Sequence, residues 1–164
     1  MRILSLDAST KSTGFAIFNN KKLEEYGCIT ASSTDVIKRI NKIITELEQV
    51  LTKGQVEKII IEEVRPEQGK NLQTYRVLMW LQAAINFLVH ERFPKVKIEY
   101  TYPSEWRKAC GIKTGRGVLR ESLKPIDIAF VKKIYSIDVN DDEADAIGIG
   151  HAYVNQLNNE INWE

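Results

Sequence analysis

Cysteine is scarce in this 164-residue chain, which has only Cys28 and Cys110. Two thiols are too few for a disulfide scaffold, and their spacing is not that of a metal site. A reduced chain in the cytoplasm, of a bacterial cell or of a host, is expected. Histidine is equally rare, with His90 and His151 alone, so zinc chemistry lacks its usual ligands. No apolar run approaches the roughly 20 residues that a membrane-crossing helix requires, and no charged-then-apolar leader precedes a small-residue cleavage site. No membrane association is expected. Repeats, low-complexity tracts and Pro/Gly/Ser linkers are also missing, which predicts a single domain over residues 1–164. The net charge of +1 excludes nothing by itself, and a hydrophobic content of 43% is ample for a core.

What the chain does contain alternates. Ile3, Leu4 and Leu6 form a short apolar run that stops at Asp7; a second run spans Phe15 to Phe18, and Lys22 to Thr30 reads as a third strand after an Asn19-Asn20 turn. Ser32, Ser33, Thr34 and Asp35 are N-cap candidates for a helix with apolar residues at Val36, Ile37, Ile40, Ile43, Ile44, Leu47, Val50 and Leu51, and Gly54 as its stop. Ile59 to Ile61 is an unbroken apolar run suited to a central strand, ending in Glu62-Glu63. From Leu72 to Val89 a helix is expected that is apolar on most sides. It is either a central core helix or one packed on the sheet and on a second subunit. A fifth strand at Lys97 to Tyr102, a short helix at Ser104 to Ala109, a glycine-bearing loop at 111–117, helix on either side of Pro125 and a last helix from about Asn140 to Asn158 complete the chain. This order predicts an α/β fold, a mixed five-stranded sheet with helices on both faces.

Three acidic positions fall at element ends. Asp7 and Glu62 end the first and fourth strands, and would emerge side by side if those strands are parallel neighbours. A lone acid at a strand end is more commonly a turn residue. The third position is NDDEADAIGIGHA, Asn140 to Ala152, where Asp142 and Asp145 share a helix face. Helix capping by Asn140 and Glu143 accounts for the first acids. It accounts poorly for Asp145, which lies among Ala144, Ala146 and Ile147, where an acid usually has a cation or a metal as partner. Carboxylates without histidine or thiolate suit a hard cation, Mg2+ or else Mn2+, and two such ions about 4 Å apart hydrolyse phosphodiesters. His151 lies half a turn away from Asp142 and reads as a packing or surface residue.

Charge is unevenly spread. Between residues 107 and 133 there are eight basic residues, Arg107, Lys108, Lys113, Arg116, Arg120, Lys124, Lys132 and Lys133, against Glu121 and Asp127. Asp138, Asp141, Asp142, Glu143 and Asp145 follow at once. An acidic site rimmed by cations is what holds a polyanion over metal ions. For any single lysine, a solvated helix face remains the plainer reading.

Asp7 at the strand end, IIEEV at Ile60 to Val64 with Lys70-Asn71 beyond it, and DEADAIGIGHA at Asp142 to Ala152 together resemble the RuvC-type Holliday junction resolvases, a branch of the RNase H-like nucleases. The resemblance covers nearly the whole chain. It implies an RNase H-like fold and a catalytic, metal-binding tetrad of Asp7, Glu62, Asp142 and Asp145. It also implies a homodimer through helix 72–89 and paired symmetric nicks in four-way DNA junctions. Arg65, Lys70, Asn71, Arg107, Lys113 and Arg116 would meet the DNA. Two departures stand out: Ala8-Ser9 follows Asp7 where bacterial members have Pro-Gly, and Arg65-Pro66 stands where they carry an aromatic. They fit a divergent, phage-encoded member with relaxed sequence choice. The rivals are another RNase H-like nuclease acting on flaps, forks or RNA/DNA hybrids, and a non-catalytic junction-binding module. The sugar-kinase and actin-like ATPases share the Asp7 hairpin with Ser9, Thr10, Thr13 and Gly14, but need a second lobe for which 164 residues leave no room.

Overall fold

A computed structural model describes residues 1–66 and 71–160. The first three strands, β1 (Arg2–Asp7), β2 (Ser12–Asn19) and β3 (Lys22–Thr30), form an antiparallel meander. Helix α1 (Val36–Gly54) then carries the chain over one face, so that β4 (Lys58–Glu62) returns parallel to β1 with Leu6 opposite Ile61. Helix α2 (Leu72–Arg92) leads to β5 (Lys97–Thr101), parallel to β4. Helices α3 (Pro103–Ala109), α4 (Arg120–Tyr135) and α5 (Asp141–Glu160) follow. The strand order is β3-β2-β1-β4-β5, the expected mixed sheet. Because β1 and β4 are parallel neighbours, Asp7 and Glu62 leave the sheet at the same end.

Strand alternation divides the core into two layers. Leu4, Leu6, Ile17, Ile59 and Ile61 face Ile40, Ile43 and Leu47 of α1 and Leu81 and Ile85 of α2. Ile3, Ala16, Phe18 and Ile60 face Trp106, Val131, Ile147 and Ile149 on the other side. Asp35 is the N-cap of α1, its Oδ1 accepting from the N–H groups of Ile37 and Lys38 at 2.9 and 3.3 Å. The left-handed residue beyond the helix is Gln55 (φ 48°), not a glycine, and its N–H closes on the Leu51 carbonyl. Ile37, expected on the apolar face of α1, is 62% exposed. Helix α4 runs unbroken through Pro125.

Helix α5 lies close on the sheet because its inner face is built of small residues. A Cβ at Gly150 would press on Phe18 and the Ser5 hydroxyl, and one at Gly148 on the Trp106 ring. Ser5, buried in β1, donates to the Ala146 carbonyl at 2.7 Å. His151 is a packing residue: its Nδ1 meets the Tyr135 hydroxyl at 2.7 Å and its ring stands edge-on to Phe130. Among the described residues no helix is long and apolar enough to cross a membrane.

Candidate active site

The four acids converge from three elements. Asp7 ends β1 opposite Gly14 of β2, and the main chain of Asp142 lies directly against Gly14. Glu62 ends β4 beside β1. Asp145 follows Asp142 by one helical turn on the same face of α5. At the beginning of α5 the neighbouring acids are engaged elsewhere. Asn140 and Glu143 cap the helix reciprocally, the Glu143 N–H donating to Asn140 Oδ1 at 2.9 Å and the Asn140 N–H to Glu143 Oε2 at 3.0 Å. Asp141 is taken by Lys124.

Electrostatics register the crowding. Burial, together with the charges of Glu62 and Asp142, lifts the Asp7 carboxyl to about 7, against a lowering effect of Arg107. Burial, then Asp7 and Asp127, lift Asp145 to about 9. Asp145 Oδ1 is buried without a hydrogen-bond partner. Among the described residues no three His, Cys, Asp or Glu side chains are gathered tightly enough to hold one ion as they stand. The all-oxygen donor set, the mutual repulsion and the orphaned oxygen of Asp145 nevertheless fit a hard divalent cation, which Asp7, Glu62, Asp142 and Asp145 would hold.

Two residues of α3 reach into this group. Trp106, 1% exposed, donates its indole N–H to Glu62 Oε2 at 2.7 Å. Arg107, expected at the DNA, is instead buried: its Nε and Nη2 donate to Asp127 at 3.0 and 2.8 Å, and Nη2 stands 3.6 Å from Asp145 Oδ2. Asp127 is one of the two acids within the basic tract. It is buried in α4, and neither it nor Trp106 is among the residues that the sequence alone marks for the site. Asp127 did carry a signal, since it follows Leu123 and precedes Val131 by four residues each and so shares their inward helical face.

The other expected DNA contacts are differently placed. The Arg65 guanidinium lies over the Tyr102 ring. Asn71 is the N-cap of α2, its Oδ1 accepting from the Gln73 N–H at 2.9 Å, and its backbone role replaces the expected contact for that oxygen. Lys70 lies outside the described residues. Lys113 and Arg116 are exposed in the loop between α3, which touches Glu62, and α4, whose Lys124 meets Asp141. That loop turns at Gly111, Gly115 and Gly117, all at positive φ. The basic tract is thinner than its sequence suggested, because Arg107 and Lys124 are paired as described and Lys132 bonds Asp138 at 2.8 Å.

No curated protein matches the sequence significantly. Among solved structures, the Thermus thermophilus RuvC in complex with Holliday junction substrate superposes with a TM-score of 0.77 at 14% identity, over 96% of each chain. A second T. thermophilus RuvC structure gives 0.75 at 16% identity over 98% of this chain and 97% of that one. The yeast mitochondrial Holliday junction resolvase Ydc2 gives 0.65 at 13% identity over 98% of this chain and 80% of that one. Residues 3–152 match the family described as crossover junction endodeoxyribonuclease RuvC. With the match spanning nearly the whole chain, and the expected sheet carrying its acids at one end, the chain belongs to the RuvC family of crossover junction endodeoxyribonucleases, which are metal-dependent nucleases.

Proposed function

We propose that this nuclease resolves four-way DNA junctions by paired symmetric nicks, using two Mg2+ ions, with Mn2+ as a substitute, held by Asp7, Glu62, Asp142 and Asp145. The observation that carries the reading is the convergence of those four acids from β1, β4 and α5, with one buried carboxylate oxygen, Asp145 Oδ1, left without a partner. The ions would supply an activated water and stabilise the leaving oxygen. The chain's own part is positional. Trp106 fixes Glu62, the α5 cap fixes Asp142, and Lys113, Arg116 and Arg65 are offered to the phosphates at the rim.

Two nicks require two sites, and α2 supports a homodimer. Leu81, Ile85, Leu88 and Val89 are buried against the sheet, whereas Leu72, Met79, Trp80 and Phe87 are exposed on roughly the opposite side of the helix, Leu72 and Phe87 by 76% and 72%. An exposed apolar stripe of this kind fits a second copy related by a dyad.

The test is Mg2+-dependent cleavage of a synthetic four-way junction beside linear duplex, flap, fork and RNA/DNA hybrid, with Asp7→Asn and Glu62→Gln as controls. Paired nicks in the junction, abolished by either substitution while binding persists, are expected. Preference for flaps, forks or hybrids would move the substrate elsewhere within the fold. Tight junction binding with no cutting would make the chain a binding module.

A further inference from the structure

Asp127 and Arg107 form a buried ion pair beside the candidate metal site, with exposures of 1% and 9%. Such a pair is a poor device for stability. Removing two charges from water costs about what their attraction returns, and apolar residues of similar volume commonly hold a fold as well. Its geometry points to another use. Asp127 occupies both Nε and Nη2 of the guanidinium, at 3.0 and 2.8 Å, and the Trp106 ring lies 4.3 Å from its central carbon. Held on an edge and a face, the guanidinium cannot turn. Its Nη2 is thereby fixed 3.6 Å from Asp145 Oδ2, while Oδ1 of the same carboxyl has no partner.

We propose that Asp127 is a positioning residue for the metal site, acting both directly and through Arg107 to orient Asp145 so that one of its oxygens stays free for the cation. The inference rests on Asp145 being a metal ligand. The charges make the arrangement specific. Arg107 alone would form an ordinary salt bridge with Asp145 and compete with the metal for it. Paired with Asp127, the guanidinium carries no net excess charge into the site. Asp145 is thus held by the long Arg107 contact and by a direct side-chain hydrogen bond with Asp127. Outer residues that orient a ligand in this way typically affect metal affinity by about 10–100-fold.

The experiment is a Mn2+ titration of the full chain, with the free ion followed by electron paramagnetic resonance and Mg2+ as competitor. Folding is checked by circular dichroism. Three variants are compared with the parent: Asp127→Asn, the double substitution Arg107→Met with Asp127→Leu, and Asp145→Asn. The double substitution guards against misfolding, since it exchanges the buried pair for apolar groups. Asp127→Asn and the double variant are each expected to weaken Mn2+ binding about 10–100-fold. A merely structural pair would lower the metal-free melting temperature and leave the Mn2+ Kd alone. An unchanged Kd in the folded double variant, with binding lost in Asp145→Asn, overturns the positioning role only. Unchanged binding in Asp145→Asn removes the ligand reading, and this inference with it.

Discussion

Gly14 and Asp142 meet backbone to backbone: the hydrogen in place of a side chain on β2 is what allows the Asp142 carbonyl to settle over the strand that pairs with Asp7. A methyl group at residue 14 would overlap that carbonyl, and backbone cannot rotate aside as a side chain can. Gly14→Ala should therefore cost about 1–3 kcal/mol by overpacking. It should also push the start of α5, with Asp142, off the sheet. Thermal unfolding together with junction cleavage checks this: activity is expected to fall well below what the fraction of folded protein explains, and full activity in a folded Gly14→Ala protein would refute it.

The raised carboxyls predict how stability depends on pH. Asp7 lies at about 7 and Asp145 at about 9, both above the ordinary value of 3.8. The folded state therefore binds protons that the unfolded state has released. The stability these groups contribute is fully present below about pH 4 and is lost as pH rises through 7 and 9. Without divalent metal, the melting temperature should fall between pH 5 and 9 by an amount that Asp145→Asn reduces. Because a cation must displace these protons, Mg2+ should stabilise more at pH 8 than at pH 6. Calorimetry at several pH values, with and without Mg2+, measures both slopes, and a pH-independent Mg2+ effect would contradict the second.

Trp106→Phe removes one N–H from a side chain that is otherwise buried against Gly148 and the sheet. Glu62 then loses the 2.7 Å contact that orients it. The expected result is a cleavage rate reduced about 10-fold or more at subsaturating Mg2+, with partial recovery at high Mg2+ and unchanged junction affinity. Loss of junction binding instead would show that the Trp106–Glu62 contact shapes the DNA-binding surface and not the metal site alone.

The exposed side of α2 gives the fourth prediction. Phe87→Glu or Trp80→Glu places a charge where the proposed dimer is apolar. Sedimentation should then report a monomer, and the monomer should nick one strand of a junction without the paired second cut. Both residues lie outside the buried core, so the fold itself should be little affected. An unchanged association state would remove α2 as the contact.

Much of this architecture was legible in the chain. The apolar runs ending at Asp7 and Glu62 are short and nearly continuous, as strands covered on both faces require, and Asn140 with Glu143 is a local capping pattern complete within four residues. The lipophilic breadth of α2 was also visible, and the structure divides it into a buried side and an exposed one. What stayed hidden depends on contacts between elements distant in sequence. Arg107 read as a rim cation because nothing local reveals that α4 will bring Asp127 against it. Trp106 read as one aromatic in a short helix, its indole N–H meaning little until α3 lies across the end of β4. Asp127, between Ile126 and Ile128, is an acid among apolar neighbours just as Asp145 is.

The acids are drawn from opposite ends of the polypeptide: Asp7 closes the first strand, whereas Asp142 and Asp145 ride on the last helix, seated on β1 and β2 through Ser5 and Gly14. A chain still being synthesised, or one whose final helix has come loose, carries Asp7 and Glu62 without their counterparts. Docking of α5 is thus a precondition for bringing the four proposed metal ligands together. In the proposed nuclease, that order would withhold the metal site until α5 has docked on the sheet.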